Sequence, residues 1–490
     1  MARARHSKVR PYSAGPVHTF HRSLGPTLLL AQLFGLFPVA GVLDASPRYR
    51  RRSLRVLMSL VNIIATSTIT VLGAFWTASN ITVFRATKVL FFASSVAACT
   101  LLHRLACAWP RLARDWRHAE IVTAHIGYPP NTVLYCRVFA CVFFILAIVE
   151  HTFAVTDAVV RIAGEDTWTG VFRRFYIKWF PQVVMVVPYT PILGPPVVML
   201  NILATFTFSY LDLLIIVITY CLSGMFRQFN KHMLKVSEQV AIVYYTIFNF
   251  CCSFKNTIKL NYGKEYIFIL ESIILSLVLS FSSLQFCKPR FEFPRPYWRD
   301  LYQDYQVLRD LVAKVDSHIS RMVLVSFTVD TYHICLQLYH SLRHISRMVL
   351  VSFTVGTYHI CLQLYHSLRP LPTTASKIYF ALSFGFLIMR TAGVCISAAN
   401  IHDEAAACKY ALFAVPPQEY CDDVERFIFQ VCNDHVAISG FNFFIITRRT
   451  LLTIIGLAIT YEVVMFQVNT MAEDEDEGKH IKNTTLNLPT

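Results

Sequence analysis

The chain has 490 residues, of which 55% are hydrophobic and only 15% are charged, and its mean hydropathy is +0.47. A water-soluble protein of this composition would expose large apolar patches, so the composition predicts an all-α multipass membrane protein in contact with lipid. The formal net charge of +15 lies mostly in short runs beside apolar segments, as in cytoplasmic loops, and does not indicate a nucleic-acid partner.

Apolar stretches of about 20 residues, the length that a helical span needs, recur along the chain. The predicted spans are 56–78, 87–108, 133–157, 197–222, one or both of 322–342 and 348–368, 376–399 and 443–468. A shorter apolar run at 27–43 has basic flanks, so residues 1–55 are interpreted as a cytoplasmic N-terminus with an interfacial or re-entrant segment. A signal peptide is the alternative, but no clear small-residue cleavage site follows the run.

Basic clusters give the predicted orientation. They lie at the N-terminus and at 48–55, 109–118 and 288–298, which places the N-terminus in the cytoplasm. The loop 158–181 would lie outside, although Arg161, Arg173, Arg174 and Lys178 break the pattern there.

An odd number of crossings makes the C-terminus extracellular, together with the acidic tail 469–490. The sequons that begin at Asn80 and Asn483 then lie outside the cell, where they are candidate glycosylation sites.

Two segments in the middle of the chain are unusual. Residues 318–343 recur as 344–369 with one change, Asp330 in the first copy and Gly356 in the second. Such near-identity predicts a recent duplication or an assembly error rather than a repeat architecture. Residues 236–287 shift in composition and are interpreted as an atypical insert, either translated intron sequence or an inserted hairpin.

The last apolar stretch carries polar residues deep inside a span. At about 100° per residue, Thr460, Val464, Gln467 and Met471 share one stripe of the helix, and Glu462 lies nearly opposite. Polar groups in hydrocarbon are costly. The stripe therefore indicates either a helix that lines a water path or hydrogen bonds between packed helices.

This stretch resembles the TYhhhhhQF signature (h, hydrophobic) of insect gustatory receptors. Thr460, Tyr461 and Gln467 match, Val468 replaces the usual Phe, and Glu462 looks like the sugar-receptor branch. Other segments that resemble this branch are FHRSLGPTLLLAQLFGLFPVAGV at 20–42, RRSLRVL at 51–57, IVEHTF at 148–153, SYLDLLIIVI at 209–218, YHICLQLYHSL at 358–368 and the run from 425 to 452.

The resemblance implies a seven-transmembrane-helix insect chemoreceptor channel fold in the plasma membrane of chemosensory neurons. It implies a sugar-gated, non-selective cation channel that assembles as a tetramer, alone or with other gustatory receptor subunits. The implied regions are helices 1–4 at 56–232, a cytoplasmic linker helix at 288–317, the duplicated helix 5 region at 318–369, the helix 6 region at 370–412 and a split pore helix 7 at 413–468.

Gate and ligand residues follow from the resemblance and from chemistry. Gln467 and Val468 would form the pore constriction, with Thr460 and Val464 along the pore, and Glu462 would neutralise Arg390 or accept a hydrogen bond. A sugar site needs carboxylates or amides together with aromatic faces. The intramembrane candidates are Glu150, His151, Tyr210, Asp212, Tyr358, His359 and Gln363. Hydrogen bonds between helices are the alternative role for each of them.

Two other classes fit the composition. A seven-helix G-protein-coupled receptor would place the N-terminus outside, against its basic charge, and the chain lacks an Asn-Pro dipeptide for the last-helix motif of that class. A multipass transporter or membrane enzyme is the second. His402, Asp403 and Glu404 are adjacent and point apart on a helix, which disfavours a metal site. No phosphate loop, nucleophile elbow or zinc motif occurs, so no enzyme activity, metal or cofactor is predicted.

Overall fold

The computed structural model describes residues 20–43, 46–80, 83–160, 162, 167–234, 295–342, 374–415 and 420–456. Its helices are α1 (Phe20–Leu33), α2 (Leu54–Ala78), α3 (Val83–Val122), α4 (Thr132–Val160), α5 (Trp168–Trp179), α6 (Pro181–Val184), α7 (Gly194–Leu234), α8 (Arg295–Leu342), α9 (Thr374–Phe413) and α10 (Asp422–Asn433), with a 3-10 turn at Thr123–His125. Strands β1 (Ser439–Gly440) and β2 (Phe444–Ile445) pair antiparallel, and a further helical stretch occupies 448–456.

Several predicted features lie outside the described residues. They are the extreme N-terminus, the insert 236–287, the second repeat copy from 344 to 369, and the chain from 457 onward with Thr460, Tyr461, Glu462, Val464, Gln467, Val468 and Asn483.

Helix α7 is the centre of the bundle. Every residue from Phe206 to Thr219 is buried, so other elements enclose its middle turns on all sides. Leu211, Leu214 and Ile215 are completely buried. Helix α9 packs along α7 so closely that a Cβ on Gly393 would lie 2.9 Å from Ile216 Cδ1. Small residues permit this close approach of two helices in a membrane.

Helix α2 has the opposite character. Leu57, Val61 and Ile64 are exposed along one side of it, and its other side packs on α3. Exposed aliphatic side chains on a helix of this length are expected where the helix contacts lipid.

Five described helices are long and apolar enough to cross a membrane: α2, α3, α4, α7 and α9. They coincide with the predicted spans at 56–78, 87–108, 133–157, 197–222 and 376–399. Helix α8 runs unbroken for 48 residues, from Arg295 to Leu342, across the boundary between the predicted linker 288–317 and the first repeat copy. At about 1.5 Å per residue it extends roughly 70 Å.

The predicted span at 443–468 begins later than expected. Phe441 and Asn442 have φ angles of 50° and 62°, so the chain turns there and forms the β1–β2 hairpin. Asp316 of α8 accepts hydrogen bonds from the Ser439 backbone N–H at 2.7 Å and the Ser439 hydroxyl at 2.8 Å. The helix therefore begins at 448 rather than at Phe443.

An aromatic cluster holds together one end of the bundle, which we call the packed end. The Phe427 ring of α10 lies 5.1 Å from Tyr305 of α8 and 6.4 Å from Phe229 of α7. One face of helix α1 is buried in this end. Leu24 is completely buried, and Phe20 stacks on Trp116 at 3.5 Å between ring centroids.

Ion pairs surround this cluster. Arg227 Nε lies 2.8 Å from Glu404 Oε1, and Arg448 Nε lies 2.6 Å from Asp403 Oδ2, so two members of the 402–404 run pair with different helices.

Asp434 also lies at this end. Burial raises the pKa of its carboxyl, but hydrogen bonds from Gln430 and Arg309 outweigh burial and hold the pKa below its ordinary value.

Phe427→Ala should destabilise the packed end strongly. Removing a fully buried Phe leaves a cavity and costs about 3–5 kcal/mol, and Phe427 is completely buried. Phe429→Ala is the matched control, because Phe429 lies on a different face of α10 and its side chain is 70% exposed. This change should have little effect. Thermal unfolding of the purified variants in detergent measures both, and equal melting temperatures for the two would contradict the packing described.

Candidate functional site

A cavity of about 310 Å³ lies at the other end of the bundle from the packed end. The N-terminal halves of α3, α7 and α9 and the C-terminal halves of α4 and α8 form its walls, and Trp179 and Phe180 reach it from the α5–α6 junction. Five helices thus contribute side chains to one space, as is typical of ligand sites between the helices of a bundle.

The cavity walls combine aromatic faces with uncharged hydrogen-bonding groups. The aromatic walls are Phe91, Phe92, Trp179, Phe180, Phe208 and Phe386. Amide and hydroxyl groups come from two helices as regular stripes. Asn201, Thr205 and Ser209 are spaced four residues apart on α7, and Tyr379 and Ser383 are spaced likewise on α9. Residues four apart share one face of a helix, so both stripes point into the same space.

The ionisable residues predicted in the third span line this cavity. Glu150 is hydrogen-bonded to Ser383. The buried Nε2 atom of His151 has no hydrogen-bond partner among the described residues. An unpaired buried polar atom costs about 1–3 kcal/mol, so His151 presents a group that a ligand hydroxyl or a water molecule would satisfy.

Two contacts close the cavity on the side of α3. Lys88 Nζ donates to the backbone carbonyl of Trp179 at 2.5 Å, which ties the α5–α6 junction to α3. Thr87 Oγ1 lies 3.0 Å from Tyr332 Oη of α8. The connection between α4 and α7 is therefore held against the cavity by a defined polar contact.

A buried ion network adjoins the cavity at Arg390. Its Nε atom lies 2.9 Å from Asp212 Oδ2, and its Nη2 atom lies 2.6 Å from Asp330 Oδ1. The side chain is 11% exposed, and each aspartate side chain is 2% exposed. A charge in such surroundings requires a partner of opposite sign, and here one cation is held by carboxylates from two other helices.

Hydroxyl groups complete the network. Ser326 donates to Asp212 at 2.6 Å, Thr391 donates to Asp330 at 3.0 Å, and Arg390 donates to Ser209 at 3.3 Å. The network therefore joins α7, α8 and α9. Because Arg390 and Ser209 also line the cavity, a molecule inside it would contact the network directly.

The two repeat copies differ at one member of this network. Asp330 belongs to the first copy, and the corresponding residue of the second copy is Gly356, which has no carboxylate to offer Arg390. The described helix ends with the first copy. Only the first copy can therefore complete the network.

The other predicted ligand residues lie elsewhere. Asp212 is in the ion network, and Tyr210 is buried with no described partner for its hydroxyl, so neither lines the cavity. Tyr358, His359 and Gln363 fall outside the described residues. Their first-copy equivalents Tyr332 and His333 lie at the cavity, where His333 forms part of the wall.

Sequence reasoning missed several wall residues. The three-residue polar stripe that starts at Asn201 and the stripe Tyr379, Ser383 and Arg390 have helical spacing, so the sequence carries a signal for both. Lys88 carries no such signal, since a lysine near a span terminus is ordinarily an interfacial anchor.

Asp212 and Asp330 supply two carboxylates to Arg390. The prediction that Glu462 neutralises Arg390 or accepts a hydrogen bond stays a prediction. Glu462 itself lies outside the described residues, as do the predicted gate residues Gln467 and Val468. Asn80, the first predicted glycosylation site, is exposed in the α2–α3 connection.

The fold is that of a multipass membrane protein with a cavity between its helices. A comparison of folds gives a TM-score of 0.55 with the insect olfactory receptor OR5 from Machilis hrabei, at 11% identity over 91% of this chain and 97% of that one. This likeness concerns the fold alone.

The sequence profile of the trehalose receptor family matches residues 10–260, 234–346 and 343–477. The chain therefore belongs to the trehalose receptor family, a family of insect gustatory receptors, and is a multipass protein of the plasma membrane. The second and third matches meet at 343–346, the junction of the two repeat copies. The matched ranges also run across 236–287, and the interpretation of that segment as an insert stays a prediction.

Two curated relatives from Drosophila melanogaster illustrate the relationship. The gustatory receptor for sugar taste 64f is 24% identical over 471 residues, covering 94% of this chain and 82% of the relative. The gustatory receptor 5a for trehalose is 25% identical over 476 residues, covering 94% and 88%.

Asp330→Gly should prevent stable assembly of the helix bundle. Removing one member of a buried ion pair costs about 3–5 kcal/mol, because the remaining charge is left without its partner. Gly356→Asp, the reverse change at the equivalent position of the second copy, should have no effect. Expression yield and melting temperature in detergent test both, and a variant carrying both changes should fail like Asp330→Gly. Full recovery in that double variant would show that the second copy can replace the first.

Proposed function

We propose that this chain is a subunit of a sugar-gated, non-selective cation channel in chemosensory neurons. The observation that carries this proposal is the cavity, in which a carboxylate, an amide and several hydroxyls face one another across aromatic walls. Sugars are neutral polyols, and they need acceptors and donors for their hydroxyls together with flat apolar faces for their C–H surfaces.

Different cavity residues would contact the hydroxyls and the C–H faces of the sugar. Glu150 and Asn201 would accept hydrogen bonds from ligand hydroxyls, and His151 would use its unpaired Nε2 atom. The aromatic rings of Trp179 and Phe386 would cover the C–H faces. Arg390 and Lys88 have carboxylate or carbonyl partners, which favours a neutral ligand over an anion.

A continuous set of contacts leads from the cavity to the start of the last helix. Val329 and His333 of α8 line the cavity. Further along α8, the Phe327 ring lies 5.5 Å from Phe444 of β2, and Asp316 binds Ser439 of β1. A ligand that shifts α8 would thus move the hairpin directly before the final helix, which is a physical route for gating.

The final helix would form the pore. By the family resemblance, Thr460 and Val464 would face the ion path, and Gln467 and Val468 would form the constriction of a homomeric or heteromeric tetramer. A cytoplasmic N-terminus would place the cavity end of the bundle outside the cell, together with Asn80, where a sugar in the surrounding fluid can enter. A ring of aliphatic side chains can gate by excluding water, and a ring of Gln by closing a hydrogen-bonded collar.

Glu150→Gln should raise the half-maximal sugar concentration by at least about tenfold, because a hydrogen bond to a charged acceptor is worth about 1.5–3 kcal/mol. The maximal current should change little. Thr152→Ala, on the exposed side of the same helix, is the matched control. Sugar-evoked currents in expressing cells provide the measurement. An unchanged dose–response curve for Glu150→Gln would place the sugar elsewhere.

Val468→Phe should reduce the current that flows without ligand. Val is shorter than the Phe of the family signature, so a ring of Val should close the pore less completely. Whole-cell recording without sugar measures the difference, and surface labelling confirms equal expression. A baseline that is silent in the parent protein and remains silent in the variant would contradict a gate at this position.

A further inference from the structure

An unbalanced cluster of arginines lies where the chain passes from α1 to α2. The segment from 46 to 55 contains five arginines and no acidic residue. All five are exposed. Arg55 donates to the backbone carbonyl of Val39 at 3.1 Å, whereas in the described part of the chain no carboxylate forms an ion pair with Arg48, Arg50, Arg51 or Arg52. We call these four residues the arginine corner.

The backbone of the arginine corner is held in place. Ala40 and Arg48 exchange two backbone hydrogen bonds, each of 2.8 Å. The Tyr49 hydroxyl lies 3.2 Å from His103 Nε2 of α3, and Ser59 Oγ of α2 lies 3.0 Å from the other ring nitrogen of the same histidine. A charged surface on a fixed backbone binds with a smaller entropic cost than a flexible basic tail.

Apolar side chains border the arginine corner. Leu33, Leu43 and Leu54 are 80%, 61% and 66% exposed. Helix α2 starts at Leu54 and continues as a membrane span whose exposed face carries Leu57 and Val61. The arginines therefore stand at the level where the hydrocarbon region begins, which is the level of the lipid headgroups.

We propose that the arginine corner binds the headgroup of an anionic phospholipid, whose acyl chains lie along the exposed face of α2. Guanidinium groups match the geometry of phosphate oxygens and bind them through paired hydrogen bonds. Basic clusters beside a span are attracted to membranes that contain acidic lipids. An acidic soluble protein is a poorer partner, because the leucines that border the arginines would remain in contact with water.

The test uses the purified full-length receptor in detergent and a fluorescent phosphatidylserine as the probe. Unlabelled phosphatidylserine should displace the probe about tenfold more effectively than phosphatidylcholine with the same acyl chains. Free inorganic phosphate should not displace it, because it lacks the chains that contact α2. Equal displacement by the two lipids would overturn the proposal, and displacement by phosphate alone would show an anion site without a lipid.

The variant Arg50→Gln/Arg51→Gln/Arg52→Gln should reduce the preference for phosphatidylserine to less than about twofold. The matched control, Arg137→Gln/Lys231→Gln/Arg426→Gln, removes the same charge from exposed positions elsewhere in the packed end and should keep the preference. Loss of the preference in both variants would indicate a general charge effect and overturn the site. Neither result depends on a response to sugar, so the proposed function is tested separately.

Discussion

The arrangement of this receptor depends on one buried cation. Arg390 stands in the middle of an apolar bundle, where a guanidinium is tolerated only if carboxylates and hydroxyls surround it. Its two aspartate partners come from α7 and α8, and Arg390 itself comes from α9. Each helix must therefore present its polar residue at the same depth, so the network sets the register of three helices. The cavity adjoins this point because Arg390 and Ser209 belong to both structures.

The same constraint distinguishes the two copies of the near-perfect duplication. The two repeat copies have the same apolar pattern, and hydrophobic burial alone cannot distinguish them. The difference between Asp330 and Gly356 can, because only a carboxylate satisfies the remaining side of the guanidinium. A single polar residue in a buried position thus specifies the pairing where the apolar residues do not, as single polar residues do in coiled coils.

Helix α8 gives the bundle its length and connects its two ends. Its C-terminal half meets the cavity, its middle holds the β1–β2 hairpin through Asp316, and its N-terminal half contributes Tyr305 to the aromatic cluster of the packed end. Because α8 is unbroken over 48 residues and its backbone hydrogen bonds are internal, a movement of its cavity end would move its other end as well. The same geometry holds the chain just before the family signature at the C-terminus.

Local patterns in the sequence determined the class of this protein and most of its spans. Hydrophobic stretches such as 133–157 and 197–222 are recognised as helical spans by their length. In lipid each segment must form all of its backbone hydrogen bonds internally, as a helix does. Glu150 and His151 stand out in the sequence because ionisable residues in hydrocarbon are costly, and both line the cavity.

Tertiary structure decided the rest. Whether Asp212 faces the cavity or Arg390, and whether Lys88 anchors a span or holds Trp179, depends on residues far apart in the chain. The start of the last helix at 448 depends in the same way on Asp316, more than 120 positions earlier. Such contacts leave no periodic signal in the sequence, so only the packed bundle could show them.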